Sequence, residues 1–239
     1  MYAQLAHQET PSVPYTLLFE GNVEQELDGH YGSPEWRGRL TDSILRLPSP
    51  LGPAVDTTVG TYTDAYGSTW RTDRRPYQLW QPALPSPRIE GLRLPDLDSL
   101  FAADWRRGAE AFVQAHRDRF VVVGFGFGLF ERSWTLRGFE QALMDSVANP
   151  EFYDTLVERL AAHQLRILER LLELPVDGIM FSDDWGYQQG TLLGPASWRR
   201  FLKPRLKRMY ALVHEAGKVA FLFPGQGSQA VGMGRDLAA

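Results

Sequence analysis

The second half of the chain alternates short apolar runs with long helical patterns, and this alternation limits its fold more than any other feature. Residues 120–124 are continuously apolar, which is typical of a strand that is covered on both faces. Similar runs at 178–181 and, directly after Lys218, at 219–223 each follow a segment with helical periodicity. The succession of strand, loop, long helix and strand indicates a parallel α/β protein.

The same patterns predict elements along the rest of the chain. We predict strands at 13–19, 44–47, 120–124, 178–181 and 218–223, and helices at 98–117, 133–147, 151–173 and 195–216. A loop is predicted at 125–132, between the strand at 120–124 and the helix that follows it. Residues rich in Thr, Tyr, Trp and Gly between 54 and 82 predict a hairpin, and the prolines of residues 82–97 predict a surface connection. These strands are too few to close a (β/α)8 barrel.

Composition excludes several classes of protein. With 44% hydrophobic and 23% charged residues the chain can bury a core, and its net charge of -4 excludes a strongly basic nucleic-acid footprint. No apolar run approaches the roughly 18 residues that span a bilayer, and the N-terminus lacks the features of a secretory signal. The chain has no Cys, which excludes thiolate metal sites and Cys nucleophiles and favours a cytoplasmic location.

Two adjacent carboxylates, Asp183 and Asp184, closely follow the strand predicted at 178–181. Ligand chemistry in parallel α/β folds gathers at the carboxyl ends of the strands. Because successive side chains of a strand point to opposite faces, we expect one of the two to face the barrel mouth. There it can accept N–H bonds from a ligand or transfer protons. The alternative is structural: one Asp caps the next loop and the other is solvated.

Other candidate sites are less specific. Residues 124–128 read Gly-Phe-Gly-Phe-Gly, and glycines let the backbone approach a ligand closely. Leu129 stands where a dinucleotide fingerprint needs its third glycine, so the alternative is a tight turn with aromatic packing. The His residues are scattered without the spacing of metal ligands, and we predict no metal site.

Several segments, taken together and in order, resemble the uroporphyrinogen decarboxylase family. They include Phe-Glu-Arg-Ser-Trp at 130–134 and Phe-Ser-Asp-Asp-Trp-Gly at 181–186, and the resemblance covers about residues 7–218. It implies a (β/α)8 TIM barrel. The family contains porphyrinogen decarboxylases, which use no metal or organic cofactor, and methyltransferases of corrinoid or coenzyme M pathways, which usually use zinc.

The chain departs from both branches of that family. The decarboxylases carry an arginine-rich stretch on the loop of the first strand, whereas residues 17–21 contain no Arg. Ser43 stands where they carry an Asp that holds pyrrole N–H groups, and an uncharged Ser cannot stabilise positive charge as a carboxylate does. The methyltransferases carry His and Cys zinc ligands on the strand that corresponds to 219–225, which contains neither. These departures argue against uroporphyrinogen itself and against a zinc-activated thiol.

Residues 219–229 and 231–234 resemble a second family, the opening of malonyl-CoA:acyl-carrier-protein acyltransferase domains. This resemblance implies that Gln226 contributes to an oxyanion hole, although the family's nucleophile motif G-H-S-x-G is absent from the chain. We therefore predict two parts, a partial barrel over 1–218 and an acyltransferase-like tail over 219–239. A barrel that lacks strands exposes sheet edges, which predicts self-association, for example as a homodimer.

We expect an α/β protein with a TIM barrel of the uroporphyrinogen decarboxylase type that is incomplete at its C-terminus. The resemblance implies a carboxy-lyase that acts on a tetrapyrrole or related small molecule without a cofactor. The predicted catalytic residues are Asp183 and Asp184, the predicted pocket residues are Phe125, Phe127 and Tyr187, and Arg132 is predicted to bind an acidic substituent. The alternatives are a methyltransferase with a corrinoid partner, an acyl-carrier-protein-dependent S-malonyltransferase fragment, and a non-enzymatic fragment that associates through its open edge.

Overall fold

The structure is a computed structural model, and it describes residues 1–10, 13–17, 19, 23–50, 60–74 and 76–223. Its strands are β1 (Ile44–Leu47), β2 (Thr61–Thr63), β3 (Thr69–Arg71), β4 (Gln78–Gln81), β5 (Phe120–Phe127), β6 (Gly178–Ser182), β7 (Gly186–Tyr187), β8 (Gly190–Thr191) and β9 (Val219–Phe223). Its α-helices are α1 (Tyr2–Leu5), α2 (Val23–Tyr31), α3 (Leu97–Leu100), α4 (Ala103–Ala115), α5 (Leu129–Arg137), α6 (Phe139–Ala148), α7 (Pro150–Leu172), α8 (Gly194–Ser197) and α9 (Lys203–Glu215). A 3-10 helix covers Pro34–Arg39 and a π-helical turn covers Trp198–Leu202. Within these residues no helix has both the length and the apolar character needed to cross a membrane.

Four parallel strands in the order β1–β5–β6–β9 form the main sheet. Its register pairs Leu47 with Val123, Val123 with Ile179, and Ile179 with Ala220. Helices occupy the connections between these strands, as parallel neighbours require. The sheet confirms the predicted parallel α/β architecture and the strands predicted at 44–47, 120–124, 178–181 and 218–223.

The two faces of the main sheet alternate residue by residue, as the pleat requires. The outer face packs against the helices and contributes Val123 to the main hydrophobic core. The inner face carries a second apolar cluster of Phe120, Val122 and Met180. The ring of Tyr2 in α1 packs on Phe120 with ring centroids 5.1 Å apart. The inner face of β5 is therefore covered at its amino end.

The strand predicted at 13–19 is wrong for the residues that the structure describes there, 13–17 and 19. Val13 is 81% exposed, so the apolar run is not buried. The N–H of Leu17 donates to the side chain of Asp42 instead of to a strand carbonyl. One backbone bond, from the N–H of Ser43 to the carbonyl oxygen of Tyr15, joins the segment to the residue before β1, but within the described residues β1 pairs with β5 alone.

Several element boundaries differ from the sequence predictions. The loop predicted at 125–132 is wrong, because β5 continues into it and α5 begins within it. The helix predicted at 133–147 is instead split between α5 and α6, because Gly138 has a φ of +92°, which helical residues do not adopt. The helix predicted at 98–117 is divided into α3 and α4, and that predicted at 195–216 contains the π-helical turn.

A small antiparallel sheet of β2, β3 and β4 docks on α5. It confirms the hairpin predicted in this region, although 54–59 lie outside the described residues. The hydroxyl of Ser68 donates to the carbonyl oxygen of Thr135 at 2.7 Å and accepts from the N–H of Ala83. The connection that follows has neither strand nor helix before α3, and the N–H of Leu84 anchors it to the carbonyl oxygen of Leu136.

Candidate functional site

Three carboxyl side chains lie near the carboxyl ends of β5 and β6. Asp183 and Asp184 directly follow β6, and Glu131 lies in the first turn of α5, which follows β5. Burial raises the pKa of Glu131, and the negative charges of both Asp residues raise it further, so the three groups are electrostatic neighbours. We call Glu131, Asp183 and Asp184 the carboxyl cluster. It lies at the edge of the sheet where barrel enzymes carry out their chemistry.

Asp183 is almost fully buried, with 5% of its surface exposed, and its carboxylate caps α5. Its oxygens accept hydrogen bonds from the backbone N–H groups of Phe130 at 3.0 Å and Glu131 at 2.8 Å. Burial raises the pKa of Asp183 to about 6, and these N–H bonds limit the rise. A helix N-terminus favours a negative charge. The carboxylate is therefore occupied by the backbone of α5.

Gly128 makes room for this cap. A Cβ atom at position 128 would lie 2.4 Å from the Cβ atom of Asp183, which is far inside contact distance. The glycine-rich segment 124–128 predicts close approach of backbone to a ligand. In the structure its last glycine permits the close approach of Asp183 to the start of α5.

Glu131 is the acid that the sequence analysis missed. Its Oε2 atom is buried and has no hydrogen-bond partner in the part of the chain that the structure describes. Burial raises the pKa of Glu131 to about 7, and the charges of Asp183 and Asp184 add to the rise. The sequence pattern hides this residue because it predicts a loop over 125–132. A helix starting at Leu129 would have placed Glu131 beside the strand ends.

Asp184 also presents an unbonded oxygen. The residue is half-buried, and its Oδ1 atom is buried with no hydrogen-bond partner among the described residues. Burial raises the pKa of Asp184. Glu131 and Asp184 thus offer carboxyl oxygens that are free to bind a ligand or transfer a proton, whereas those of Asp183 are bonded.

The two predicted pocket phenylalanines have different surroundings. Phe125 is buried and lines a cavity of about 340 Å³ between the carboxyl ends of β5 and β6 and helix α9. Phe127 is partly exposed, and its ring stacks on that of Trp70 with centroids 6.2 Å apart. Gly126 between them has a φ of +79°, and the pairing of β5 with β6 shifts register in this segment. This distortion separates the two rings.

The cavity is mostly apolar with a few polar groups in its wall. Its lining includes Leu129, Phe181 and Met209 together with Asp183 and Tyr210. The hydroxyl of Tyr210 is buried and lacks a hydrogen-bond partner within the described residues. Burial and the charge of Asp183 raise the pKa of Tyr210. A cavity of this kind suits the apolar part of a small molecule.

Arg132 is buried beneath the small sheet. Its Nη1 atom lies 3.5 Å from Oδ2 of Asp64, and its guanidinium lies over the ring of Tyr66, 3.8 Å from the centroid. An acidic substituent would have to compete with Asp64 for this cation. Tyr187 is exposed in β7 and lies outside the cavity lining. Gln226 lies outside the described residues.

A metal centre does not fit the described residues. No three of their His, Asp or Glu side chains come together in a way that could hold a metal ion. The sequence contains no Cys. The zinc site implied by resemblance to the methyltransferase branch therefore has no set of ligands in this part of the chain.

The family model of uroporphyrinogen decarboxylase (URO-D) matches residues 81–236. This range contains β5, β6, β9 and the carboxyl cluster. It also contains most of the segment 219–239, for which the acyltransferase resemblance and the division at residue 218 stay predictions. The chain has no match among curated proteins.

The fold is similar to that of a methyltransferase from Methanosarcina mazei. The TM-score is 0.62 and the sequence identity 17%, and the match covers 92% of this chain and 67% of that one. At this identity the likeness shows the fold alone, a parallel α/β architecture. Because the family model also matches more than half of the sequence, the chain belongs to the uroporphyrinogen decarboxylase (URO-D) family.

Proposed function

We propose that the chain is a carboxy-lyase that acts on a tetrapyrrole or related small molecule, with Glu131 as the proton donor. The observation that carries this proposal is the Glu131 carboxyl group, whose buried oxygen is unbonded among the described residues and whose pKa lies at about 7. An acid with a pKa near the working pH can donate a proton and recover it from solvent. Its place at the carboxyl ends of parallel strands supports the same role.

The reaction replaces a carboxylate on carbon by hydrogen. The bond between that carbon and the carboxylate breaks, carbon dioxide leaves, and the electron pair of the bond stays on the substrate carbon. This carbon takes the proton of Glu131, whose carboxylate is then reprotonated from water. Burial keeps a large fraction of Glu131 protonated near neutral pH, which is the form that this step needs.

Asp183 and Asp184 have separate roles in this proposal. Asp183 is a positioning residue, because its carboxylate holds the first turn of α5 and its charge raises the pKa of Glu131. Asp184 has an unbonded buried oxygen and accepts an N–H bond from the substrate, such as that of a pyrrole ring. The pair of adjacent carboxylates thus divides into one that supports the helix and one that binds.

Replacement of Glu131 tests the proposal directly. We expect Glu131→Gln (E131Q) to lower the rate of carbon dioxide release from carboxylated porphyrinogens by about 100-fold or more, because Gln cannot donate the proton. The matched control is E151Q, since Glu151 is an exposed carboxylate in the first turn of α7. The rate of the unmodified protein should fall as the pH rises through about 7, where Glu131 loses its proton.

Two results would contradict the carboxy-lyase. One is a rate in E131Q within about threefold of that of the unmodified protein, because a proton donor cannot be replaced at so small a cost. The other is no release of carbon dioxide from any porphyrinogen by the unmodified protein at or below neutral pH.

A methyltransferase is the second candidate, because the fold is similar to that of a methyltransferase from Methanosarcina mazei. It predicts transfer of a methyl group from a methylated corrinoid to a thiol when zinc is supplied. The described residues offer no ligand set for that zinc, and the carboxy-lyase is therefore preferred. Methyl transfer that E131Q leaves unchanged would favour this second candidate.

A cytoplasmic location and self-association are further parts of the proposal. The absence of Cys from the sequence supports the location. Within the described residues β1 and β9 each pair on one side, and open edges of this kind favour pairing with another chain. Cell fractionation tests the first part, and light scattering of the purified chain tests the second.

A further inference from the structure

The cavity of about 340 Å³ beside α9 lies behind the main sheet, on its outer face. Phe125 and Phe181, which line it, belong to the core that packs between the sheet and the helices. Helix α9 closes the cavity from the opposite side. Among the described residues, neither Glu131 nor Asp184 belongs to its wall. The cavity is therefore separate from the unbonded oxygens of the carboxyl cluster.

The wall of this cavity is rich in aromatic rings, which come from Phe125, Phe181, Trp185 and Tyr210. The ring of Tyr210 packs edge-on against that of Phe181 with centroids 5.0 Å apart, and the ring of Phe125 lies 5.1 Å from Phe181 on the same measure. Aromatic rings favour tilted and edge-to-face contacts with other rings. A cavity with this lining therefore suits a small aromatic molecule.

The hydroxyl group of Tyr210 gives the cavity a hydrogen-bond donor. Its oxygen is buried and has no hydrogen-bond partner in the part of the chain that the structure describes. Burial, and then the charge of Asp183, raise the pKa of Tyr210, so the hydroxyl keeps its proton. The same negative charge disfavours an anionic ligand. A neutral ligand with an acceptor oxygen would supply the missing partner.

Water suits this wall less well than an aromatic ligand does. A buried water molecule makes about three hydrogen bonds, whereas most of this wall is apolar. The oxygens of Asp183 already accept bonds from the N–H groups of Phe130 and Glu131. An apolar cavity of about 150 Å³ is large enough for benzene. The larger cavity behind the sheet thus has room for an aromatic ring with a carbonyl group.

The entrance to the cavity lies beside Trp185 and Tyr210. These two residues are half-buried, whereas Phe125 and Phe181 are at most 5% exposed. The ring of Trp185 also contacts that of Trp198, with centroids 5.5 Å apart. Trp198 begins the π-helical turn that directly precedes α9, and turns of this kind are frequent at functional sites. A helical distortion therefore borders the entrance, which is a second indication of a ligand.

We propose that this cavity binds a neutral small aromatic molecule that carries a carbonyl oxygen, and that the hydroxyl group of Tyr210 donates a hydrogen bond to that oxygen. The aromatic wall holds the ring of the ligand, and the hydrogen bond fixes its orientation. The inference does not rest on the proposed function, because neither Glu131 nor Asp184 lines the cavity. A protein that releases no carbon dioxide could still bind this ligand.

Two probes of nearly the same shape test the hydrogen bond on the full chain. Acetophenone carries the carbonyl oxygen, and α-methylstyrene has a CH₂ group in its place. We expect acetophenone to bind with a dissociation constant below about 1 mM, which a ligand of about nine non-hydrogen atoms can reach. Y210F should weaken acetophenone by about 3- to 10-fold, the usual effect of one neutral hydrogen bond, and leave α-methylstyrene within about twofold. Ligand-observed NMR titrations measure both affinities.

Two further variants show where the probes bind. L206W fills the cavity from α9 and should weaken both probes by about 10-fold or more, because the enlarged side chain takes the space of the ligand. The matched control is Y31F, which removes the hydroxyl of a tyrosine that is 56% exposed in α2 and should leave both affinities unchanged. A thermal melt checks that L206W is folded, and if it is not, the comparison of the probes on Y210F decides alone.

Four outcomes would overturn the proposal. They are no saturable binding of acetophenone up to about 5 mM, the same change or none in both affinities on Y210F, an equal loss of acetophenone binding in Y31F, and acetophenone binding by folded L206W within about twofold of the unmodified protein.

Discussion

Replacement of Glu131 by Gln should change how the stability of the protein depends on pH. Burial and the neighbouring carboxylates raise the pKa of Glu131 from 4.5 to about 7 in the folded chain. Between these two values the folded state binds more protons than the unfolded state, so the free energy of unfolding falls as the pH rises through this window. Above the window the folded chain carries a buried charge that the Gln variant lacks.

The size of the effect follows from the two pKa values. At about 1.4 kcal/mol for each pH unit between them, the destabilisation by Glu131 reaches about 3 kcal/mol near pH 8. Because Glu131 is partly exposed, we expect solvent screening to reduce this to about 2 kcal/mol. Below the lower pKa value Glu131 is protonated in both states, and its contribution vanishes.

Urea unfolding of both proteins at several pH values, followed by circular dichroism, measures this difference. The free energy of unfolding of E131Q should rise relative to that of the unmodified protein by about 1.5 kcal/mol or more between about pH 5 and about pH 8. Asp183 and Asp184 are present in both proteins, so most of their own titration cancels. A difference that stays constant within about 0.5 kcal/mol over this range would refute the raised pKa of Glu131.

Three further substitutions test the surroundings of the site. D183A removes the acceptor of two N–H bonds at the start of α5 and should cost about 2 kcal/mol in the free energy of unfolding at neutral pH; an unchanged value would contradict the cap. D145N breaks the buried 2.7 Å ion pair between Arg137 and Asp145 and should lower the free energy of unfolding, measured in urea, by about 3–5 kcal/mol; a loss under about 1 kcal/mol would contradict the importance of this pair. G178A puts a Cβ atom 2.6 Å from a carbonyl oxygen of β9 and should lower the melting temperature by about 4 °C or more, whereas G38A, with open space around it, should melt as the unmodified protein does.

The main sheet could be predicted because its strands are buried on both faces and therefore consist of continuous apolar runs. Residues 120–123 are each at most 2% exposed, which is the burial that their composition predicts. The run at 13–17 was also predicted as a strand but is not one. Composition does not show whether a neighbouring strand is available for pairing, so this outcome could not be predicted. The break between α5 and α6 at Gly138 could not be predicted either. A glycine within a helical pattern can continue the helix or end it, and only its φ, which the sequence does not give, shows which occurs.

The place of the site could be predicted more fully than the roles of its residues. The position of Asp183 and Asp184 after an apolar run places both at the carboxyl end of a strand, and the structure agrees. Asp183 is the bonded cap and Asp184 has the unbonded oxygen, and this difference depends on where α5 begins. The sequence analysis places the start of that helix too late, at residue 133.

Asp183 both caps α5 and raises the pKa of Glu131 through its charge, and the variant D183N tests these two roles separately. Asn keeps one oxygen that can accept an N–H bond from the start of α5 but carries no charge. The Asp183 charge is, after burial, the largest influence that raises the pKa of Glu131. We therefore expect the pKa of Glu131 to fall in D183N, and the decline of the reaction rate with rising pH to begin at a lower pH. If Asp183 acted by supporting the helix alone, D183N would lower the rate or the stability without moving that decline. A pH profile that keeps its midpoint at about 7 would therefore show that burial, with Asp184, sets the acidity of Glu131.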